Sequence, residues 1–172
     1  MNDRGFSLIE LLIVVAIIGV IAAIAVPSMM RARLAGNEAS AIASMRAVNS
    51  AQASYASSAA RGGYAPLLAT LGTPCSGSSE AFISSDLAAD PAVKSGYRFA
   101  LRGATTATAG PTDCNSTATR SDFYMTATPL GVGVTGNRAL AATAAGAVYY
   151  DASGVPPTEA AMAPGGGGLV IQ

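Results

Sequence analysis

The stretch RGFSLIELLIVVAIIGVIAAIAVP, from Arg4 to Pro27, decides the fold of this chain. No residue from Leu11 to Met30 is charged. About 20 helical residues rise roughly 30 Å, the thickness of the hydrocarbon core of a bilayer. The stretch therefore predicts a membrane-spanning helix. Two features do not fit a simple anchor: Glu10 places a carboxylate near the start of the helix, and only the residues MNDRG precede Phe6.

Three interpretations of this stretch compete. A cleavable secretory signal normally has a shorter apolar region, of about 7–15 residues. A plain anchor fits the length but gives Glu10 no role, since an acid at the centre of a membrane helix costs about 2.5–3.5 kcal/mol, and less near an end. A helix that leaves the membrane to pack against copies of itself would give the carboxylate a partner.

The composition argues against several classes of function. The chain has 172 residues, with 10 Lys and Arg balanced by 10 Asp and Glu, so direct nucleic-acid binding through a basic surface is not expected. It has no His, the commonest general base and metal ligand. The acids Asp122, Asp151 and Glu159 lack the ligand spacing of a calcium loop. We therefore expect neither an enzyme nor a bound cofactor or metal.

The segment GFSLIELLIVVAIIGVIAAIAVP resembles the amino-terminal segment of the type IV pilin and pseudopilin family. The resemblance covers roughly the first thirty residues. It rests on Gly5 before Phe6, the acid Glu10 four residues later, the unbroken apolar run and Pro27. It implies that a prepilin peptidase removes residues 1–5 as a leader by cutting between Gly5 and Phe6. The same enzyme would then N-methylate Phe6.

The resemblance also implies a function and its partners. Glu10 would pair with the amino terminus of a neighbouring subunit and so set the register of a filament. The chain would be a structural subunit of a type IV pilus or pilus-like filament, or alternatively a type II secretion pseudopilin or a minor pilin of a DNA-uptake apparatus. The implied partners are copies of itself, other pilins or pseudopilins, the prepilin peptidase, an inner-membrane assembly platform and the membrane. The subunit would cross the bacterial inner membrane once with its head in the periplasm. After assembly it would lie in a surface pilus or a periplasmic filament.

One long helix is expected to carry both halves of the amino-terminal region. Residues 6–29 form its transmembrane or filament-core part, and residues 30–61 form an amphipathic part that ends near Gly62. Larger apolar residues follow one helical face of the second part: Leu34, Ile42, Met45, Val48 and Tyr55. Gly19 and Pro27 bracket a weak segment, which predicts a kink. The resemblance further implies that this segment extends or melts in a filament.

The rest of the chain predicts a small globular β head over residues 62–160. Alternating apolar residues indicate short strands over 96–102, 122–129, 137–143 and 146–154. Gly-containing turns join them, so we expect a small antiparallel sheet packed on the carboxyl half of the helix, which is an α+β fold. The polar stretch between the first two strands is expected to be a solvent-exposed loop. Residues 161–172 are expected to form a flexible Gly-rich tail with an apolar tip.

The two cysteines, Cys75 and Cys114, are too far apart in sequence for a CxxC motif. In an exported protein such a pair most often forms one disulfide. Two free thiols remain the alternative if the head stays in the cytosol.

Overall fold

The computed structural model describes residues 6–171. The expected leader, residues 1–5 with Gly5, lies outside the described residues. The helices are α1 (Leu8–Ser58), α2 (Leu68–Gly72) and α3 (Glu159–Met162). The strands are β1 (Ala92–Lys94), β2 (Tyr97–Gly103), β3 (Ala109–Thr112), β4 (Ala118–Arg120), β5 (Phe123–Pro129), β6 (Ala139–Thr143), β7 (Val148–Asp151) and β8 (Leu169–Val170).

The chain divides into two structural units at Arg33 and Leu34. The N-terminal unit, described from Phe6 to Arg33, consists of the apolar part of α1. The carbonyl of Ser7 accepts hydrogen bonds from the N–H groups of Glu10 and Leu11 and so closes the first turn. The helix continues through Pro27. The C-terminal unit, described from Leu34 to Ile171, contains the rest of α1 and every strand.

In the C-terminal unit α1 buries one face against the sheet. Five of its buried residues follow one another at intervals of three or four: Ala41, Met45, Val48, Gln52 and Tyr55. This spacing is that of one side of a helix. The predicted face is confirmed at Met45, Val48 and Tyr55, whereas Leu34 and Ile42 are half-buried at its margin. The helix ends at Ser58, just before Arg61 and Gly62, both of which have positive φ.

The predicted antiparallel sheet is confirmed, and it is larger than expected. Its six strands lie in the order β1-β2-β5-β6-β7-β8, and every neighbouring pair is antiparallel. One face, which includes Phe99, Met125 and Leu140, belongs to the same core as α1. On the other face, Tyr124 and Ala141 pack with Met162 of α3.

Two expectations for this unit differ from the structure. The polar stretch between β2 and β5 contains the hairpin β3–β4, whose Arg120 exchanges backbone hydrogen bonds with Tyr64. The tail expected to be flexible over residues 161–172 contains the end of α3 and strand β8. It is held because β8 pairs with β7 and because Ile171 donates its N–H to Val148 and packs against the core.

Candidate functional site

The described N-terminal unit exposes all of its side chains, although most of them are apolar. Within residues 6–171, α1 is the one helix long and apolar enough to cross a membrane, judged by length and composition. Its large exposed apolar residues are Phe6, Leu8, Ile9, Leu11, Leu12, Ile13, Val14, Val15, Ile17, Ile18, Val20, Ile21, Ile24, Val26, Met29 and Met30. Burying such a surface is favourable, and nothing within the described chain covers it.

Glu10 lies in the first turn of α1, inside this apolar surface. Its side chain is exposed and forms no ion pair with any residue that the structure describes. A carboxylate surrounded by apolar groups becomes costly once water is removed, unless a cation accompanies it. Phe6 lies four residues earlier and is 74% exposed. Phe6 and Glu10 therefore lie within five consecutive residues at the amino-terminal end of α1.

Gly19 and Pro27 lie further along the same exposed surface. A side chain added at Gly19 would meet no atom within 4 Å, so the structure of the single chain gives no packing reason for this glycine. Pro27 lies inside the helix and cannot donate a backbone hydrogen bond to the preceding turn. The neighbouring hydroxyl of Ser28 instead donates to the carbonyl of Ala25 at 2.9 Å. The predicted weakness of this segment remains a prediction.

Cys75 and Cys114 are joined as a disulfide, with their Cα atoms 5.5 Å apart. The adjacent Asn115 holds the same two segments together. Its amide nitrogen donates to the carbonyl of Pro74 at 3.0 Å, and its amide oxygen accepts from the N–H of Ser76 at 3.1 Å. The disulfide thus attaches the turn between β3 and β4 to the loop after α2, and the side chain of Asn115 reinforces the attachment.

Sequence reasoning missed the acid that fixes the sheet to α1. Glu38 accepts hydrogen bonds from the N–H of Asn137 at 2.8 Å and from the guanidinium Nε of Arg138 at 2.9 Å. Burial raises the pKa of Glu38, but these hydrogen bonds and the positive charge of Arg138 outweigh it, so the pKa is lowered from its usual value. No local signal points to this pair, because its members are 100 residues apart.

The three acids weighed as calcium ligands have other contacts. Asp122 accepts from the N–H groups of Phe123 and Ala144, and Glu159 pairs with Arg102. Asp151 accepts from the N–H of Ser153 at 2.7 Å. Among residues 6–171 no group of three or more His, Cys, Asp or Glu side chains is placed to hold a metal ion.

Comparison with known proteins identifies the amino-terminal segment. Residues 1–26 match the family model of the prokaryotic N-terminal methylation motif. The chain is also 44% identical over 54 residues to the type IV major pilin protein PilA of Myxococcus xanthus (strain DK1622). That match covers 31% of this chain and 24% of the pilin, so this chain spans about a quarter of its relative's length. No solved structure matches the chain significantly. The resemblance stated from the residues is confirmed for the amino-terminal segment.

Proposed function

We propose that this chain is a structural subunit of a type IV pilus or pilus-like filament, assembled through its amino-terminal helix. The observation that carries the proposal is the exposed apolar surface of α1 over residues 8–30, with Glu10 in its first turn. Burial of this surface against neighbouring helices would drive assembly, because each Å² of apolar surface removed from water contributes about 25 cal/mol. The methylation motif and the similarity to a major pilin support the same role.

The first step of this function is processing at the amino terminus. Cleavage after Gly5 would leave the apolar helix on the mature chain, and methylation would follow on Phe6. Glycine has no Cβ, so it lets a protease approach the backbone closely. Mass spectrometry of the chain from cells with active peptidase should show methylated Phe6 as the first residue. Gly5→Val should keep Met1 or Asn2 at the amino terminus, and efficient cleavage of that variant would contradict the proposed site.

The second step is the pairing of Glu10 with the new amine of a neighbouring subunit. In a water-poor filament core the two charges attract strongly, and desolvation offsets much of the gain. The pair would therefore act mainly on register, because a misaligned subunit leaves a buried charge unpaired. Glu10→Ala should insert into membranes and be cleaved normally but form few or no filaments. Glu80→Ala, which removes an exposed acid of the C-terminal unit, is the matched control. Normal filaments from Glu10→Ala would contradict this step.

Before assembly the subunit would reside in the inner membrane with its C-terminal unit in the periplasm. The apolar helix would supply the membrane anchor. The disulfide supports a periplasmic location for the C-terminal unit, because disulfides form and persist in oxidising compartments. Alkylation of whole cells should label Cys75 and Cys114 only after reduction. Labelling without a reductant would place the unit in the cytosol. The peptidase and an inner-membrane assembly platform are the proposed transient partners.

The segment from Gly19 to Pro27 is proposed to loosen when subunits pack into the filament. Glycine is a poor helix former and proline removes a backbone hydrogen bond, so this segment has the least intrinsic helical stability in the N-terminal unit. Hydrogen exchange should be faster here in filaments than in the detergent-bound subunit. Equal protection in both states would contradict the proposal.

We favour a pilus over a secretion filament because the named relative is a major pilin. Deletion of the gene should remove surface filaments and leave protein secretion intact. A secretion defect with normal surface filaments would instead support the pseudopilin alternative.

A further inference from the structure

A cleft of about 570 Å³ lies beside α3 in the C-terminal unit, between the end of β7 and strand β8. Its volume is within the range of about 300–1,000 Å³ that is typical of ligand pockets, so it can hold a long side chain. Its walls are largely apolar and include Val155, Pro156 and Leu169. Asp151 is the one charged residue among those that line it. The cleft is therefore a largely apolar pocket whose lining contains one negatively charged residue, Asp151.

Asp151 differs from the three acids of this unit that form ion pairs. Glu38, Asp86 and Glu159 each pair with an arginine or lysine of the same chain. Asp151 accepts a hydrogen bond from Ser153 but pairs with no cation of residues 6–171. Hydrogen bonding from Ser153 lowers the pKa of Asp151, so the carboxylate is charged at neutral pH. The cleft thus offers a carboxylate to a cation from outside the chain.

The exposed face of α1 in this unit complements the cleft, because it is a flat surface of small residues that carries one positive charge. Ala39, Ala43 and Ser50 lie on the side of the helix that faces away from the core residues Met45 and Val48. Residues four or seven positions apart lie on one side of a helix, so these small residues form a flat strip. Arg46 lies within the strip. It is exposed and forms no ion pair in the described part of the chain.

We propose that Arg46 of one copy enters the cleft of a second copy and pairs there with Asp151. This inference rests on the proposed filament function and names a contact between neighbouring C-terminal units. The aliphatic stem of arginine suits the apolar walls of the cleft, and its guanidinium suits the carboxylate. The flat strip of small residues lets the helix approach closely enough for Arg46 to enter.

Two exposed valines fit the same contact. Val155 lines the cleft, and Val132 of the loop after β5 packs beside Gly154. Both side chains are more than half exposed, and the flat helix strip of the second copy would cover them. In this contact the small residues of the α1 strip would pack against Val132 and Val155, and the Arg46–Asp151 ion pair would lie between them.

The geometry of this contact suits a filament. Met125 and Ala142 belong to the core that contains α1, whereas Tyr124 and Ala141 pack with α3 on the opposite face of the sheet. The cleft beside α3 and the exposed strip of α1 are therefore different surfaces. A contact between two different surfaces leaves one free cleft and one free strip on every dimer. Further copies can therefore add at both ends and form an open helical array.

Charge exchange tests the pair in cells that make the full chain. Arg46→Glu and Asp151→Arg should each lower filament yield by about tenfold or more, and the double variant should recover most of it. Arg98→Glu and Glu80→Arg, which reverse exposed charges elsewhere in the unit, should assemble normally. Circular dichroism and amino-terminal processing of each single variant should match those of the parent chain. Normal filaments from both single variants would overturn the inference, and so would correctly folded single variants whose double variant does not recover.

Cross-linking in detergent tests the contact without requiring filaments. Chains with Arg46→Cys mixed with chains with Ser153→Cys should give a disulfide-linked dimer on oxidation, and the double variant should give a ladder of higher species. Arg98→Cys mixed with Ser153→Cys should give no dimer. An absent dimer in the first mixture would overturn the inference, as would a product that stops at the dimer in the double variant. Failure of the parent chain to form filaments while the cross-link still forms would instead contradict the proposed function alone.

Discussion

The two units use apolar residues in opposite ways. The N-terminal unit presents its Leu, Ile and Val side chains to the surroundings, whereas the C-terminal unit buries residues of the same types between α1 and the sheet. Both patterns occur on one helix. The apolar surface of the second half of α1 is buried within the chain, whereas that of the first half is exposed and would be covered by a membrane or by other subunits in the proposed function. The position of an apolar residue along α1 therefore decides whether it is buried in the fold or left exposed for the proposed assembly.

The acids of α1 show the same difference. Glu38 has its partners Asn137 and Arg138 in the same chain. Glu10 has an exposed side chain and pairs with no described residue. A carboxylate with internal partners stabilises the fold, whereas one that awaits an external cation can control assembly.

The largest effect is expected from shortening the same residue type in each unit. Leu140 is 2% exposed and Leu12 is 61% exposed. Leu140→Ala should lower the free energy of unfolding by about 2–5 kcal/mol, because it removes buried methyl groups and leaves a cavity. Leu12→Ala should leave that free energy unchanged and reduce filament yield. Urea denaturation of the detergent-bound chain, followed by tyrosine fluorescence, measures the first quantity. Equal destabilisation by the two substitutions would break the comparison.

The disulfide should affect only the C-terminal unit. Replacing Cys75 and Cys114 by Ser should lower the free energy of unfolding by about 2–4 kcal/mol, because the bond closes a long loop that the unfolded chain would otherwise leave open. Denaturation of the variant and of the parent chain, with and without reductant, measures the effect. Reductant should weaken the parent to the level of the variant and should not change the variant. Membrane insertion and cleavage at Phe6 should be normal in both.

Removing the charge of Glu38 should have a smaller effect on the fold. Glu38→Gln should lower the free energy of unfolding by about 1–3 kcal/mol, because hydrogen bonds to a charged acceptor contribute more than those to a neutral one. Glu10→Gln is the matched substitution and should not change it. Since the pKa of Glu38 is lowered on folding, its contribution is fully present above the unfolded value of about 4.3. It should be lost as the pH falls below that value. A stability profile from pH 7 to pH 3 that is the same in parent and Glu38→Gln would contradict this assignment.

The sequence predicts whatever depends on local pattern. The apolar run, the acid after Phe6 and the helical spacing of Met45, Val48 and Tyr55 all lie within one continuous stretch, so the helix and the candidate assembly site could be found without coordinates. Strands β2, β5, β6 and β7 follow from alternating apolar residues for the same reason. Hairpin β3–β4 was missed because its residues are small and polar and give no alternation.

Contacts between distant residues could not be predicted in this way. Glu38 and Arg138 are brought together only when β6 packs beside α1, and nothing near either residue indicates the other. The cleft at Asp151 forms only when the end of the chain returns to pair with β7. The sequence suggested a flexible tail there because four consecutive glycines precede β8.

The smallest effect is expected at an exposed ion pair of the C-terminal unit. The ammonium of Lys94 lies 2.8 Å from the carboxylate of Asp86, and both side chains are about a third to a half exposed. Water and salt screen such a pair, so Lys94→Ala should change the free energy of unfolding by less than about 1 kcal/mol. The change should shrink further in high salt, whereas the change caused by Glu38→Gln should persist because Glu38 is buried. Denaturation of both variants in low and high salt makes the comparison. An effect of Lys94→Ala as large and as salt-resistant as that of Glu38→Gln would show that charge pairing in this unit does not depend on burial.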